Sequence, residues 1–167
     1  MTTLRRRAAL AVLVFATILI AGCATPARSS DPFGPESSHW QGRLSIKVQG
    51  PSPQAVSASF ELSGNAQAGQ LLLTTPLGST LAQLQWEGAL ATLQTSGEPQ
   101  HFASLEALVR HTTGTDLPVA ALFDWLRGTD SPAAGWEADL SDIGNGRLSA
   151  RRLDAQAPAE LKIILDR

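Results

Sequence analysis

Arg43-Leu44-Ser45-Ile46-Lys47-Val48 alternates polar and apolar side chains, and after Pro51-Ser52-Pro53 the pattern resumes in Val56-Ser57-Ala58-Ser59-Phe60-Glu61-Leu62-Ser63. A period of two belongs to a strand with one face buried and one in water. Two such runs separated by prolines set the fold class as an antiparallel sheet. Working outward, Gly64-Asn65-Ala66 reads as a turn and Gln70–Thr75 as a third strand. Pro76-Leu77-Gly78 then breaks the chain before Thr80–Glu87, and Gly88 before Ala89–Thr95. A short strand over Gln100–Phe102 follows Gly97-Glu98-Pro99.

The period then changes. Leu105, Leu108 and Val109 stand at helical spacing, with Ser104 placed to cap the start and Gly114 just past the end. Pro118 suits the first turn of a second helix carrying Val119, Leu122, Phe123 and Leu126, which Gly128 stops. Alternation returns in Trp136, Ala138 and Leu140, in Arg147–Leu153, and in Leu161, Ile163 and Leu165. No internal repeat is visible. The expected architecture is mainly β with inserted helices: one long antiparallel sheet whose apolar face the helices cover. The space between them is either a filled core or a hollow lined by aliphatic side chains.

The N-terminal segment has a different character. Arg5, Arg6 and Arg7 precede an apolar run from Ala8 to Ile20 interrupted only by Thr17, the layout of a secretory signal peptide. The run is short of the ~20 residues a spanning helix needs. Ile20-Ala21-Gly22-Cys23 resembles the bacterial lipobox, in which the cysteine is acylated and becomes the new N-terminus. The expected organisation is a cleaved signal over residues 1–22, a lipidated Cys23 with a Pro/Ser/Ala-rich tether to residue 38, and one domain over 39–167. More than one long acyl chain, at ~0.8 kcal/mol per buried methylene, would anchor the protein without spanning the bilayer. Ala24 stands where an aspartate would resemble an inner-membrane retention signal, so the outer membrane is favoured.

Composition excludes several classes. The 167 residues carry a formal charge of -2, 5% aromatics and one cysteine. That leaves no internal disulfide, no cysteine-rich zinc site and little material for stacking on nucleic acid. Removing residues 1–22 takes away three arginines and no acids, so the remaining 145 residues have ten basic and 15 acidic side chains. His39, His101 and His111 share no metal-ligand spacing, and no nucleophile elbow, phosphate-binding glycine loop or calcium loop occurs. Asp139 with Asp142, and Arg151-Arg152, read as solvated charge rather than as a reactive pair. Neither an enzyme nor a cofactor is expected.

The order of the remaining motifs is informative. The lipobox is followed by Trp40-x-Gly42-Arg43-Leu44-Ser45-Ile46, Ala58-Ser59-Phe60 and Pro76-Leu77-Gly78-Ser79-Thr80. Thr113-Gly114-x-x-Leu117-Pro118-Val119, Leu122-x-x-Trp125-Leu126-x-Gly128 and Gly135-Trp136 come after. From Trp40 onward this series resembles the LolB family of outer-membrane lipoproteins, with a more compact C-terminal stretch over Leu140–Arg167. The resemblance implies an open half-barrel of antiparallel strands, with a helical lid over an apolar cavity that takes acyl chains. It implies a monomer on the periplasmic face of the outer membrane that accepts acylated lipoproteins from the carrier LolA and inserts them into outer-membrane lipid. It also implies that Leu77, held between Pro76 and Gly78, helps release them.

Leu44, Ile46, Phe60, Leu73, Leu84, Trp86, Leu122 and Trp125 are then candidates for the cavity lining, with ordinary core packing as the competing reading for each. Two other functions fit the same sequence. A lipoprotein that scaffolds an envelope complex would have a solid core, and a carrier of free lipid or lipopolysaccharide would have the same hollow.

Overall fold

A computed structural model describes residues 38–50, 53–154 and 157–166. The expected signal segment, Cys23 and the tether up to residue 37 lie outside the described residues. The alternating runs form β1 (Ser38–Val48) and β2 (Gln54–Gly64), followed by β3 (Ala68–Thr74), β4 (Thr80–Glu87), β5 (Leu90–Gln94) and β6 (Gln100–Phe102). Two helices come next, α1 (Leu105–Thr113) and α2 (Val119–Leu126), and then β7 (Trp136–Asp139), β8 (Arg147–Arg152) and β9 (Ala159–Leu165). All nine strands pair antiparallel in one sheet of order β6-β5-β4-β3-β2-β1-β9-β8-β7. The sheet is open, with β6 and β7 as its edges.

The order is a meander with one rearrangement. Strands β1 to β6 add one after another on one side of β1, and β9 takes the other side, with Leu44 opposite Ile163 and Ile46 opposite Leu161. Backbones come close at this seam. A Cβ on Gly42 would stand 2.0 Å from the carbonyl oxygen of Ile164, which is main chain and cannot swing aside. Gly42→Ala is expected to cost about 3 kcal/mol, the upper part of the overpacking range. That corresponds to a melting temperature lower by roughly 10 °C, measurable by circular dichroism.

Local chemistry accounts for the helix limits. The Ser104 hydroxyl accepts from the Ala107 amide at 3.1 Å, and Gly114 ends α1 in the left-handed region at φ 72°. Pro118 sits just before α2 rather than inside its first turn. Helix α1 buries Leu105 and Leu108, whereas α2 buries Val119, Ala121, Phe123, Trp125 and Leu126 and leaves Ala120 exposed and Asp124 half-buried on its remaining side.

Several boundaries differ from the sequence expectation. Strand β1 begins at Ser38, and His39 is within it, hydrogen-bonded through Nδ1 to the Ser63 hydroxyl at 2.8 Å. Leu140 falls outside β7 and Leu153 outside β8, where Leu153 is exposed. Ile143–Asn145 form a 3-10 turn that no periodicity announces. The largest correction concerns Arg152. Arg151 is exposed and paired with Glu137, but Arg152 is half-buried and donates to the hydroxyl of Thr115 at 2.8 Å. Thr115 lies in the connection between the helices and is the one buried polar residue among those described. This bond, with the Trp136 indole N–H donating to the Asp116 carbonyl at 2.9 Å, fixes the helical connection to β7 and β8.

Candidate functional site: an apolar cavity and a projecting hairpin tip

Between the sheet and the helices lies a cavity of about 220 Å³. Its floor is the inward set of the alternating strands: Leu44 and Ile46 from β1, Leu71 and Leu73 from β3, Ala82, Leu84 and Trp86 from β4, Leu161 and Ile163 from β9. Its roof is Leu105 and Val109 from α1, Leu117 from the connection, and Val119, Leu122 and Phe123 from α2. Thr112 and Thr113 also reach the wall, but their hydroxyls bond back to carbonyls of α1, at 3.0 Å and 2.7 Å to Val109. No buried side-chain nitrogen or oxygen among the described residues lacks a partner. The surface offered to a ligand is therefore hydrocarbon.

Six of the eight residues named from the sequence line this space: Leu44, Ile46, Leu73, Leu84, Trp86 and Leu122. Phe60 and Trp125 are buried in the surrounding core and are not among the lining residues. Trp125 points elsewhere, donating its indole N–H to the Ser131 carbonyl at 2.9 Å. Leu71, Ala82, Val109, Leu117, Phe123 and Leu161 line the cavity without having been singled out. Their signal is the same alternation and helical spacing, which fixes the apolar face but not where packing leaves a gap.

Phe123 holds the centre of an aromatic group. Its ring lies 5.8 Å from that of Trp40 and 6.3 Å from that of Trp86, both tilted, within the range that favours aromatic pairs. Trp86 rests on Gly69, where a Cβ would come within 2.5 Å of the indole. Its N–H donates to the Asn65 carbonyl at 2.9 Å.

The second feature is the β3–β4 hairpin. Gly78 N–H donates to the Thr75 carbonyl at 2.9 Å, Thr75 N–H to the Ser79 carbonyl at 2.8 Å, and Gly78 has a φ of +86°. This is a three-residue loop in which a left-handed glycine follows a tight turn. Pro76 fits the first loop position because its φ is already set. Leu77 is left at the apex, 94% exposed. Pairing then passes from Leu73 opposite Ala82 to Thr74 opposite Thr80, so Leu81 is the extra residue of a bulge. Leu81 is exposed as well, and the tip carries two leucines.

Polar candidates do not form a reactive site. The Ser141 side chain, and then the Ser141 amide donating to Asp139 at 3.0 Å, hold the Asp139 carboxyl below the usual range, while Asp142 pairs with Arg147 at 3.2 Å. His101 bonds to Thr92 at 3.1 Å, and the His111 ring leans on Phe102 at 5.2 Å. Among the described residues, no cluster of metal-ligating side chains occurs and no helix is long and apolar enough to cross a membrane.

Comparison with known proteins bears on the same stretch of chain. The family model for outer membrane lipoprotein LolB matches residues 38–159. An outer-membrane lipoprotein LolB from Ralstonia nicotianae is 29% identical, with 93% of this chain and 94% of the relative covered. That of Cupriavidus pinatubonensis is 34% identical over 92% of this chain and 76% of its own length. That of Bordetella petrii is 33% identical over 81% of each. With the match running from the first strand to the start of the last, the chain belongs to the outer-membrane lipoprotein LolB family, whose members are receptors in lipoprotein localisation and not enzymes.

Proposed function

We propose that this protein accepts acylated lipoproteins from the periplasmic carrier LolA and inserts them into the outer membrane, to which its own acylated Cys23 holds it. The observation that carries the reading is the hydrocarbon-lined cavity under the two helices. An acyl chain of about 14 methylenes has roughly 11 kcal/mol to gain from leaving water, at ~0.8 kcal/mol each. Transfer from one such cavity to another and then to lipid runs downhill without nucleotide if each site is more apolar or roomier than the last. The exposed Leu77 supplies the contact with the bilayer.

Size adds a requirement. An apolar cavity of about 150 Å³ holds one benzene ring, six carbons. At that ratio the roughly 220 Å³ here takes about nine carbons, short of one whole chain. Loading must therefore push the helices outward or leave part of the chain outside.

The deciding experiment mixes LolA charged with a labelled lipoprotein and the chain beginning after Cys23, without nucleotide. Movement of the label to this protein is expected. A scaffolding lipoprotein would take up nothing. A free-lipid carrier would bind fatty acid or lipopolysaccharide and leave the lipoprotein on LolA.

A further inference from the structure

A groove of about 610 Å³ runs between the β2–β3 turn and α2. Phe123 lines both spaces. The two are joined a second time by the bond from Trp86, a cavity residue, to the carbonyl of Asn65, a groove residue. An aromatic partition thus separates a hydrocarbon chamber from an open polar one.

The groove wall is well fixed. The Asn65 side-chain oxygen accepts from the amides of Gln67 at 2.8 Å and Ala68 at 3.0 Å. The Gln67 carbonyl accepts from the Gly88 amide at 2.8 Å. The backbone of the turn is therefore tied, while the Gln67 side chain stands exposed. Opposite it, Asp124 accepts from Ser131 at 2.7 Å and from Arg127 at 2.6 Å, and these two bonds hold its carboxyl below the ordinary range. The groove thus contains one carboxylate and one guanidinium already paired. An anionic headgroup would need a cation not so engaged. Neutral amides suit this surface.

We propose that the groove receives the peptide amides next to the acylated cysteine of a substrate lipoprotein, and that Phe123 is the partition keeping acyl chain and peptide in separate chambers. This rests on the acyl-receiving role proposed above. It gives the ligand an orientation: hydrocarbon beneath the helices, polypeptide leaving beside α2.

Site-specific photo-cross-linking tests it. A diazirine amino acid is placed at Gln67 in the groove, at Val109 in the cavity, or at Gln85, exposed on β4, in the full chain held in lipid nanodiscs. The probe is a synthetic cysteinyl peptide bearing two palmitoyl chains, and adducts are mapped by mass spectrometry. Expected are adducts to peptide atoms at Gln67, at least tenfold above Gln85, and to acyl carbons at Val109. Phe123→Leu should bring acyl carbons into the Gln67 adduct. Acyl adducts at Val109 with none to peptide at Gln67 would overturn the groove assignment while acyl reception stands. An unchanged Gln67 adduct in Phe123→Leu removes the partition role. No adduct at Val109 or Gln67 defeats the acyl-receiving role and the groove assignment with it.

Discussion

Replacing Leu77 with glutamate is expected to leave the protein folded and able to take up lipoprotein, yet to block delivery to membrane. The side chain is 94% exposed, and the loop is shaped by Thr75, Pro76 and Gly78 rather than by the leucine. Surface changes of this kind stay within about 0.5 kcal/mol of the parent stability. The effect at a bilayer is far larger. On insertion scales leucine is favourable by about 0.5 kcal/mol and an acidic residue costs about 3. The swing is about 3.5 kcal/mol, roughly 400-fold in occupancy of the inserted state.

Leu90 provides the control. It is also exposed, at 72%, but it pairs with Glu87 at the other end of β4. The length of β4, at about 3.3 Å per residue, sets it some 25 Å from the Leu77 tip. With the hairpin tip entering end-on, Leu90 stays well clear of the bilayer surface. Leu90→Glu should deliver normally, as measured by release of labelled lipoprotein into liposomes. Normal delivery by Leu77→Glu would remove the hairpin tip from the mechanism.

The second large effect is expected from Ala82→Phe. Ala82 faces the cavity from β4, opposite Leu73, and a phenyl ring there adds a benzene-sized group. Such a ring occupies about 150 Å³ of the roughly 220 Å³ present, leaving room for about three carbons. Losing contact with about six methylenes at ~0.8 kcal/mol each should weaken acyl uptake at least a hundredfold. Stability separates the two readings of the interior. In a hollow the ring fills space, so the melting temperature should hold or rise. In a solid core the same change would cost about 1–3 kcal/mol. Uptake is read by displacement of a fluorescent fatty acid, and melting by calorimetry on the same sample.

Much of this was legible in the residues because burial on one face imposes a period. The alternation at Leu44, Ile46 and Val48 placed β1, and Ser104 and Gly114 marked the limits of α1 through the caps they form. The lining was only partly legible. Phe60 belongs to the same inward row as Leu62, yet Leu62 borders the cavity and Phe60 does not. Periodicity reports which way a side chain faces, whereas a void depends on the volumes of all its neighbours at once. Arg152 shows the same limit. Its neighbour Arg151 is solvated, and only the long-range approach of Thr115 makes the second arginine a tie to the helical connection. Leu81 escaped notice because a bulge breaks the alternation at that point.

The position of β9 beside β1 has a consequence for biogenesis. The first six strands can assemble hairpin by hairpin as the chain emerges, because each pairs with its immediate predecessor. One side of β1 has no partner until residues 159–165 arrive, more than a hundred positions later in the sequence. Contacts of that separation form late and slow the reaction. Until then Leu44 and Ile46 belong to an uncovered edge, the kind of surface on which chains aggregate. Completion of the fold is thus coupled to release of the last strand. Truncation within β9 should yield a trapped, sticky intermediate rather than a slightly smaller protein.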